Sequence, residues 1–187
     1  LINGETKTGV TIMMMDEGMD SGDILAQEET DIEAAENFGR LHDRLARLGA
    51  QLLLTTLPDV IAGNCHRRPQ NHAEATFAPR LTKETGKINW QDDASHICNL
   101  IRGLSPSPGA YSFLSGKLIK ILAAESEPQE TNKTPGAIIE QTKNALKIAA
   151  GDGCVLIKEV QLSGKKKMPI EDFLRGYPLK PNTVFGI

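Results

Sequence analysis

Four carboxylates crowd into MDEGMDSGDIL, residues 15–25: Asp16, Glu17, Asp20 and Asp23, with Gly18 and Gly22 set among them. Three kinds of behaviour suit such a run. The first is a hard-cation loop. An EF-hand requires Gly at loop position six and a bidentate Glu at position twelve. Counted from Asp16, those positions hold Ser21 and Gln27, so the calcium pattern fails. The second is a solvated turn, with the glycines supplying unusual backbone angles and the acids facing water. The third is catalytic. In open α/β sheets ligands bind beyond the carboxyl ends of strands, and this run leaves the end of a strand-like segment. A carboxylate held there can orient a histidine or relay a proton. Local composition leaves the second and third readings open.

Other reactive side chains are less suggestive. His42, His66, His72 and His96 show no tight ligand spacing. Cys65-His66 with His72 offers nitrogen and sulfur donors, but the pattern fits ordinary loop residues better than a metal site, and no metal is expected. Gly164-Lys165-Lys166 lacks the glycine-spaced run that a phosphate-cradling loop needs.

Several elements must position these groups. TGVTIMMM, residues 8–15, is apolar on both alternating faces, which predicts a strand covered on two sides, as in a parallel α/β sheet. GDILAQEE is a second, shorter strand candidate. Over residues 34–62, Phe38, Leu41, Leu45, Leu48 and Leu52 fall three and four apart and form one helical stripe. Gly49 and Pro58 are expected to split or bend that helix, and the Gly in Ala62-Gly63-Asn64 to end it. Residues 64–83 have no sustained period and read as a linker. DDASHICNLIRGL then predicts a short helix. GAYSFL, KLIKILAA, GAIIEQ, ALKIAA and CVLIKEVQL predict strands separated by turns, closed by a helix around IEDFLRG. The expected organisation is residues 1–63 as an α/β part, 64–83 as a linker and 84–187 as a small β-barrel of the OB type.

Bulk properties set limits on this scheme. The 187 residues suffice for one large or two small domains. No apolar run reaches the ~18 residues of a membrane helix, and no signal-peptide pattern opens the chain. Cys65, Cys98 and Cys154 are odd in number and widely spaced, which argues against a disulfide framework and for a reducing, cytoplasmic setting. Residues 1–63 carry four basic against twelve acidic side chains, residues 64–187 seventeen against twelve. That asymmetry suggests a polyanion facing the second part. The start LINGETKTGV, without Met and running at once into a strand, suggests a fragment of a longer protein.

NGETKTGVTIMMMDEGMDSGDILAQEE resembles the second half of the catalytic domain of folate-dependent formyltransferases. ATFAPRLTKETGKINW (75–90), IRGLSPSPGAYSFL (101–114) and VQLSGKKKM (160–168) resemble successive signatures of the methionyl-tRNA formyltransferase family. The resemblance implies a partial Rossmann-like formyltransferase domain followed by an OB-like tRNA-binding domain. It implies transfer of a formyl group from 10-formyltetrahydrofolate, without a metal, to the α-amino group of initiator methionyl-tRNA.

In that family Asn, His and Asp act on the formyl carbonyl, and the Asp position matches Asp20. The resemblance implies that Asn and His stabilise the oxyanion, while Asp20 fixes the His and helps move the amine proton. It also implies that the backbone from Asp16 through Glu17, Gly18 and Asp20 to Gly22 lines the pterin pocket. Arg67, Arg68, Arg80, Lys83, Arg102, Lys165, Lys166 and Lys167 are the candidate phosphate contacts, which would position RNA without reading its sequence. A monomer with no membrane or obligate protein partner is expected.

The family's Asn-x-His segment, with the SLLP-like run that follows it, has no equivalent here. The chain by itself is therefore expected to be inactive, and half a sheet is expected to leave an aggregation-prone edge. Two alternatives accompany this reading. One is a nucleotide-sugar N-formyltransferase, disfavoured by VQLSGKKKM near the carboxyl end. The other is a non-catalytic tRNA-binding OB fragment.

Overall fold

A computed structural model describes residues 1–128, 131–180 and 183–186. The chain divides into two compact units: Glu5–Glu36 with Arg40–Arg80, and Leu81–Ile187 joined by Leu1–Gly4 and Asn37–Gly39. The segment 64–80 thus groups with the acidic part of the chain.

In the first unit β1 (Lys7–Met13) and β2 (Ile24–Asp31) form an antiparallel pair, with Val10 opposite Glu28 and Ile12 opposite Ala26. This corrects the parallel-sheet expectation for β1. The ten residues between the two strands are too few for a parallel crossover, which needs a dozen or more. The β1 side chains alternate between exposed and half-buried, so the strand is not buried on both faces.

Helix α1 runs unbroken over Phe38–Ile61 with Pro58 inside it. The expected break at Gly49 is absent for a packing reason. A Cβ on Gly49 would lie 3.2 Å from Val10 Cγ1, so the glycine lets helix and hairpin approach closely. Pro58 falls near the helix end, where one lost backbone bond is tolerated, and the helix closes four residues later as Ala62 N–H donates to the Pro58 carbonyl at 2.9 Å.

A partly buried ion pair secures the link between hairpin and helix. Glu36, only 3% exposed, accepts from Arg44 Nη2 at 2.7 Å and from Nε at 2.9 Å. The same guanidinium reaches the Thr30 hydroxyl and the Asp31 carbonyl. Arg44 holds the Glu36 carboxyl below its ordinary range.

The second unit is built on α2 (Ala94–Leu104), β3 (Ala110–Leu114), β4 (Lys117–Glu127), β5 (Ile138–Gln141), β6 (Leu146–Ala149), β7 (Cys154–Leu162), β8 (Met168–Pro169) and α3 (Ile170–Gly176). The strands pair antiparallel in the order β3-β4-β7-β6-β5, with β8 on β7. Inward residues at alternate positions, such as Ile119, Ile121, Ile148 and Val155, are fully enclosed with Ile97, Ile101 and Leu104 of α2 and Phe173 of α3. Asp152, in the β6–β7 turn, caps α2 by accepting from Ala94 N–H at 2.7 Å. Trp90 donates its ring N–H to the Ser112 hydroxyl at 3.0 Å, which satisfies both polar groups inside the core.

The strand pairing does not close into the expected barrel. Among the described residues, β3 and β5 share no ladder. Across the opening, isolated bridges join Leu114 to Phe185 and Ala137, the residue before β5, to Val184. With four residues each, β5 and β6 are short for closing a barrel. Among the described residues no helix is long and apolar enough to cross a membrane.

Candidate functional site

The acidic run forms the connection between β1 and β2, and its shape follows from its own side chains. Asp16 Oδ1 accepts from the Ser21 hydroxyl at 2.7 Å and from Gly18 N–H at 3.0 Å, folding the turn back on itself. These donors, the Ser21 hydroxyl foremost, hold the Asp16 carboxyl below its ordinary range, with a smaller contribution from the charge of His72. Gly22 is buried, and a Cβ there would sit 1.7 Å from the Met14 carbonyl oxygen, so no other residue fits without moving the backbone. The base of the turn is closed by Met14 N–H donating to the Asp23 carbonyl at 2.9 Å.

Asp20 sits at the tip with φ of +53°, in the left-handed region that few residues other than glycine enter. Its side chain is exposed. Its main chain is held from far along the sequence: Gln70 Nε2 donates to the carbonyls of Asp20 at 2.9 Å and Gly22 at 2.7 Å. Gln70 reaches the turn because the backbone at Arg68 exchanges two hydrogen bonds with Ile24, at 2.8 and 2.9 Å. One carboxamide thus holds the backbone at Asp20 and two residues beyond it. Gln70, which holds this turn, was missed by the sequence reading, since PQN reads only as loop.

Of the backbone groups expected to face a pterin, Gly18 N–H and the carbonyls of Asp20 and Gly22 are engaged within the unit. Glu17 and Gly18 are exposed. A shallow concavity of about 130 Å³ lies along the turn, lined by Met13, Met14, Asp16, Gly18 and Asp20 among others. It has room for the edge of one flat ring system and not for a whole folate. Met15 and Met19 flank it at 92% and 93% exposure, an apolar rim of the kind a planar ligand covers.

A literal Asn-x-His does occur, at Asn64-Cys65-His66. It follows α1, where Asn64 N–H donates to the Asp59 carbonyl at 2.9 Å, and it continues into RRPQN with no SLLP-like run. Its setting is that of a helix end and not of a strand end. Among the described residues, no three His, Cys, Asp or Glu side chains gather closely enough to hold a metal ion.

The basic candidates are divided between the units. Arg67, Arg68 and Arg80 lie in the first, all exposed; Arg68 donates to the Gln27 side chain at 2.8 Å. Lys83, Arg102 and Lys165–Lys167 lie in the second. Arg102 is half-buried and donates to Asn99 Oδ1 at 2.9 Å. Lys165 and Lys166 stand exposed in the β7–β8 turn, whose Gly164 has a positive φ of 71°. Lys167 pairs with Glu159 at 3.2 Å.

Comparison with known proteins gives these features a frame. Residues 1–57 match the family model described as formyl transferase, and residues 80–178 that described as formyl transferase, C-terminal domain. The methionyl-tRNA formyltransferase of Syntrophus aciditrophicus (strain SB) is 51% identical over 186 residues, covering 100% of this chain and 60% of the relative. The chain spans about 60% of the length of the curated relatives it matches. HypX from Aquifex aeolicus, solved in complex with tetrahydrofolic acid, superposes with a TM-score of 0.69 at 23% identity, covering 97% of this chain and 32% of that one. An N-formyltransferase from Helicobacter canadensis, in complex with folinic acid and dTDP-3-aminofucose, superposes with a TM-score of 0.67 at 21% identity, covering 89% and 58%. At such identities the two structures speak for the fold alone.

Proposed function

The chain belongs to the formyl transferase family, and on that premise we propose that its protein transfers the formyl group of 10-formyltetrahydrofolate to the α-amino group of initiator methionyl-tRNA. The observation that carries this reading is the 51% identity to a methionyl-tRNA formyltransferase over 186 residues, covering 100% of this chain. Asp20 is its assigned proton-handling group. The amine attacks the formyl carbon, the carbonyl oxygen takes up charge, and a proton leaves the attacking nitrogen for the departing folate nitrogen. An exposed carboxylate at a backbone-locked turn tip suits that transfer, because its position is set before substrate arrives.

The folate fits the turn in part. The methionine rim and the 130 Å³ concavity suit one edge of a pterin, and the rest of its pocket must come from other residues. Charge stabilisation on the formyl oxygen is assigned to an Asn and a His in the rest of the protein, since Asn64-Cys65-His66 lacks the setting for it. In this reading the first unit, with residues 64–80 bracing the Asp20 turn, serves catalysis, and the second unit is the module for tRNA. Arg67, Arg68, Arg80, Lys83, Arg102 and Lys165–Lys167 contact phosphates. The sugar N-formyltransferase reading is supported only at the level of fold.

The test is Asp20→Asn in protein of the family's full length. Formyl transfer falls by at least about 100-fold, the weight of a general acid–base group, while tRNA affinity stays unchanged. Retained turnover would remove Asp20 from the chemistry, and transfer to an amino sugar instead of methionyl-tRNA would replace the substrate assignment.

A further inference from the structure

The chain has one Trp, two Tyr and five Phe, and two of these eight rings stand together on the outer face of β3. Strand alternation puts Ala110, Ser112 and Leu114 into the core and leaves Tyr111 and Phe113 half-buried on the opposite side. Their rings meet edge to face, 5.9 Å apart at 86°. Across the ladder Tyr111 faces Lys120 and Phe113 faces Leu118, so the same surface carries two aromatics, an aliphatic side chain and a cation.

The surface is concave as well. The turn at Glu84–Gly86 packs its backbone against the tyrosine: a Cβ on Gly86 would lie 3.5 Å from Tyr111 Cδ1. Gly109, with φ of +85°, allows the chain to pass over the Lys120 stem, where a Cβ would come to 3.0 Å from Cδ. Between these segments lies a cavity of about 340 Å³, lined by Lys83, Tyr111, Leu118 and Lys120 among others and by no acidic side chain. The Lys120 ammonium donates to the Pro108 carbonyl at 2.6 Å, a contact that orients the charge without neutralising it.

We propose that this cavity binds an unpaired nucleobase of the RNA substrate, stacked on Tyr111 with its flanking phosphates on Lys83 and Lys120. The inference rests on the tRNA reading above and adds to it a site that reads single-stranded RNA. Proteins recognise unpaired bases by stacking them on aromatic side chains exposed on a sheet, with cations tracking the backbone. A paired base is hidden within its helix, so the occupant is a loop or end nucleotide. Lys83 alone was legible as a phosphate contact. Tyr111 and Lys120 join it only through strand register.

The test measures binding of the 187-residue chain to initiator tRNA and to a short unstructured RNA containing 2-aminopurine, over a range of salt. Tyr111→Ala weakens both by about 5- to 150-fold, the weight of one stacked base, and abolishes quenching of the 2-aminopurine. Tyr111→Phe and Tyr111→Trp hold wild-type affinity. Lys120→Met keeps the quenching and flattens the salt dependence by about one phosphate. If Tyr111→Ala fails to fold, Tyr111→Thr, a strand former without a ring, replaces it. Wild-type binding by the folded ring-less variant overturns the site. It leaves the tRNA reading intact if replacing Lys165–Lys167 with alanines still costs affinity. Equal loss in the Phe, Trp and Ala variants overturns stacking. No binding of either RNA by the wild-type chain even at low salt overturns the site, and the tRNA reading then stands or falls on initiator tRNA binding by protein of the family's full length.

Discussion

The two units of this chain are held by different forces. In the second, α2, α3 and the sheet enclose a continuous apolar core in which Ile119, Ile121, Ile148 and Val155 have no exposed surface. In the first, only Leu41 among the α1 leucines is buried, while Leu53, Leu54, Leu57 and Ile61 are 43–79% exposed. Its order comes instead from polar clamps: Arg44 on Glu36, Asp16 on its own turn, Gln70 on Asp20 and Gly22. The contrast teaches where precision resides. Apolar burial supplies most stability and is non-directional, whereas hydrogen bonds to named atoms fix one backbone conformation at one place. The turn that carries Asp20 needs the second kind.

Substitutions of four kinds sharpen or break this contrast. Ile148→Ala should destabilise the second unit most, by about 2–5 kcal/mol, because it opens a cavity inside a closed core; urea denaturation followed by the fluorescence of Trp90, which lies in that core, reads it directly. A loss near zero would mean the core is looser than its burial implies. Glu36→Gln should cost the first unit about 1.5–3 kcal/mol, the range for a hydrogen bond to a charged group, seen as a lower melting temperature for the α1 signal.

The same pair sets a pH dependence with a definite sign. Because Arg44 depresses the folded pKa of Glu36, its stabilisation is complete above the ordinary value of 4.5 and disappears as pH falls through the lower folded value. The Glu36→Gln protein should lack that acid step, and an identical acid profile in both proteins would discount the pair. Gln70→Ala should cost about 1 kcal/mol locally, speeding amide exchange in residues 14–23 while leaving the melting of the second unit unchanged. Exchange spread evenly over the chain would contradict the clamp. Leu54→Ser, at a residue 73% exposed, should change stability by no more than about 0.5 kcal/mol; a larger loss in thermal melting would show that the outer face of α1 is covered in solution.

The helical stripe from Phe38 to Leu52 and the alternating patterns of β3, β4 and β7 were legible because their signals repeat every few residues. Gly49 was not, since a breaker and a close-packing glycine have the same letter, and only Val10 distinguishes them. The parallel expectation for β1 failed because apolar composition reports what can be buried and not which partner arrives. Strand spacing suggested a closed barrel, but closure depends on the pairing of β3 with β5, which no local pattern encodes. Asp20 was singled out by its glycine-flanked turn and by family resemblance; the structure adds that it sits at the turn with a positive φ, and its chemical role is a proposal.

The sequence by itself determined the family, the order of strands and helices, and the turn on which the proposed chemistry depends. The order of elements and the turn are properties of neighbouring residues, set by backbone sterics and hydrophobic period, whereas the family was legible only as the resemblance of whole motifs. The tertiary structure alone decided that Gln70 holds Asp20 across 50 positions. It alone decided that Glu36 is buried against Arg44 and that Tyr111 shares a cavity with Lys83 and Lys120. Each of these joins groups whose identities carry no mark of their partners. Such contacts exist only after the apolar elements have packed, when the surviving polar and aromatic side chains are brought within bonding distance of one another.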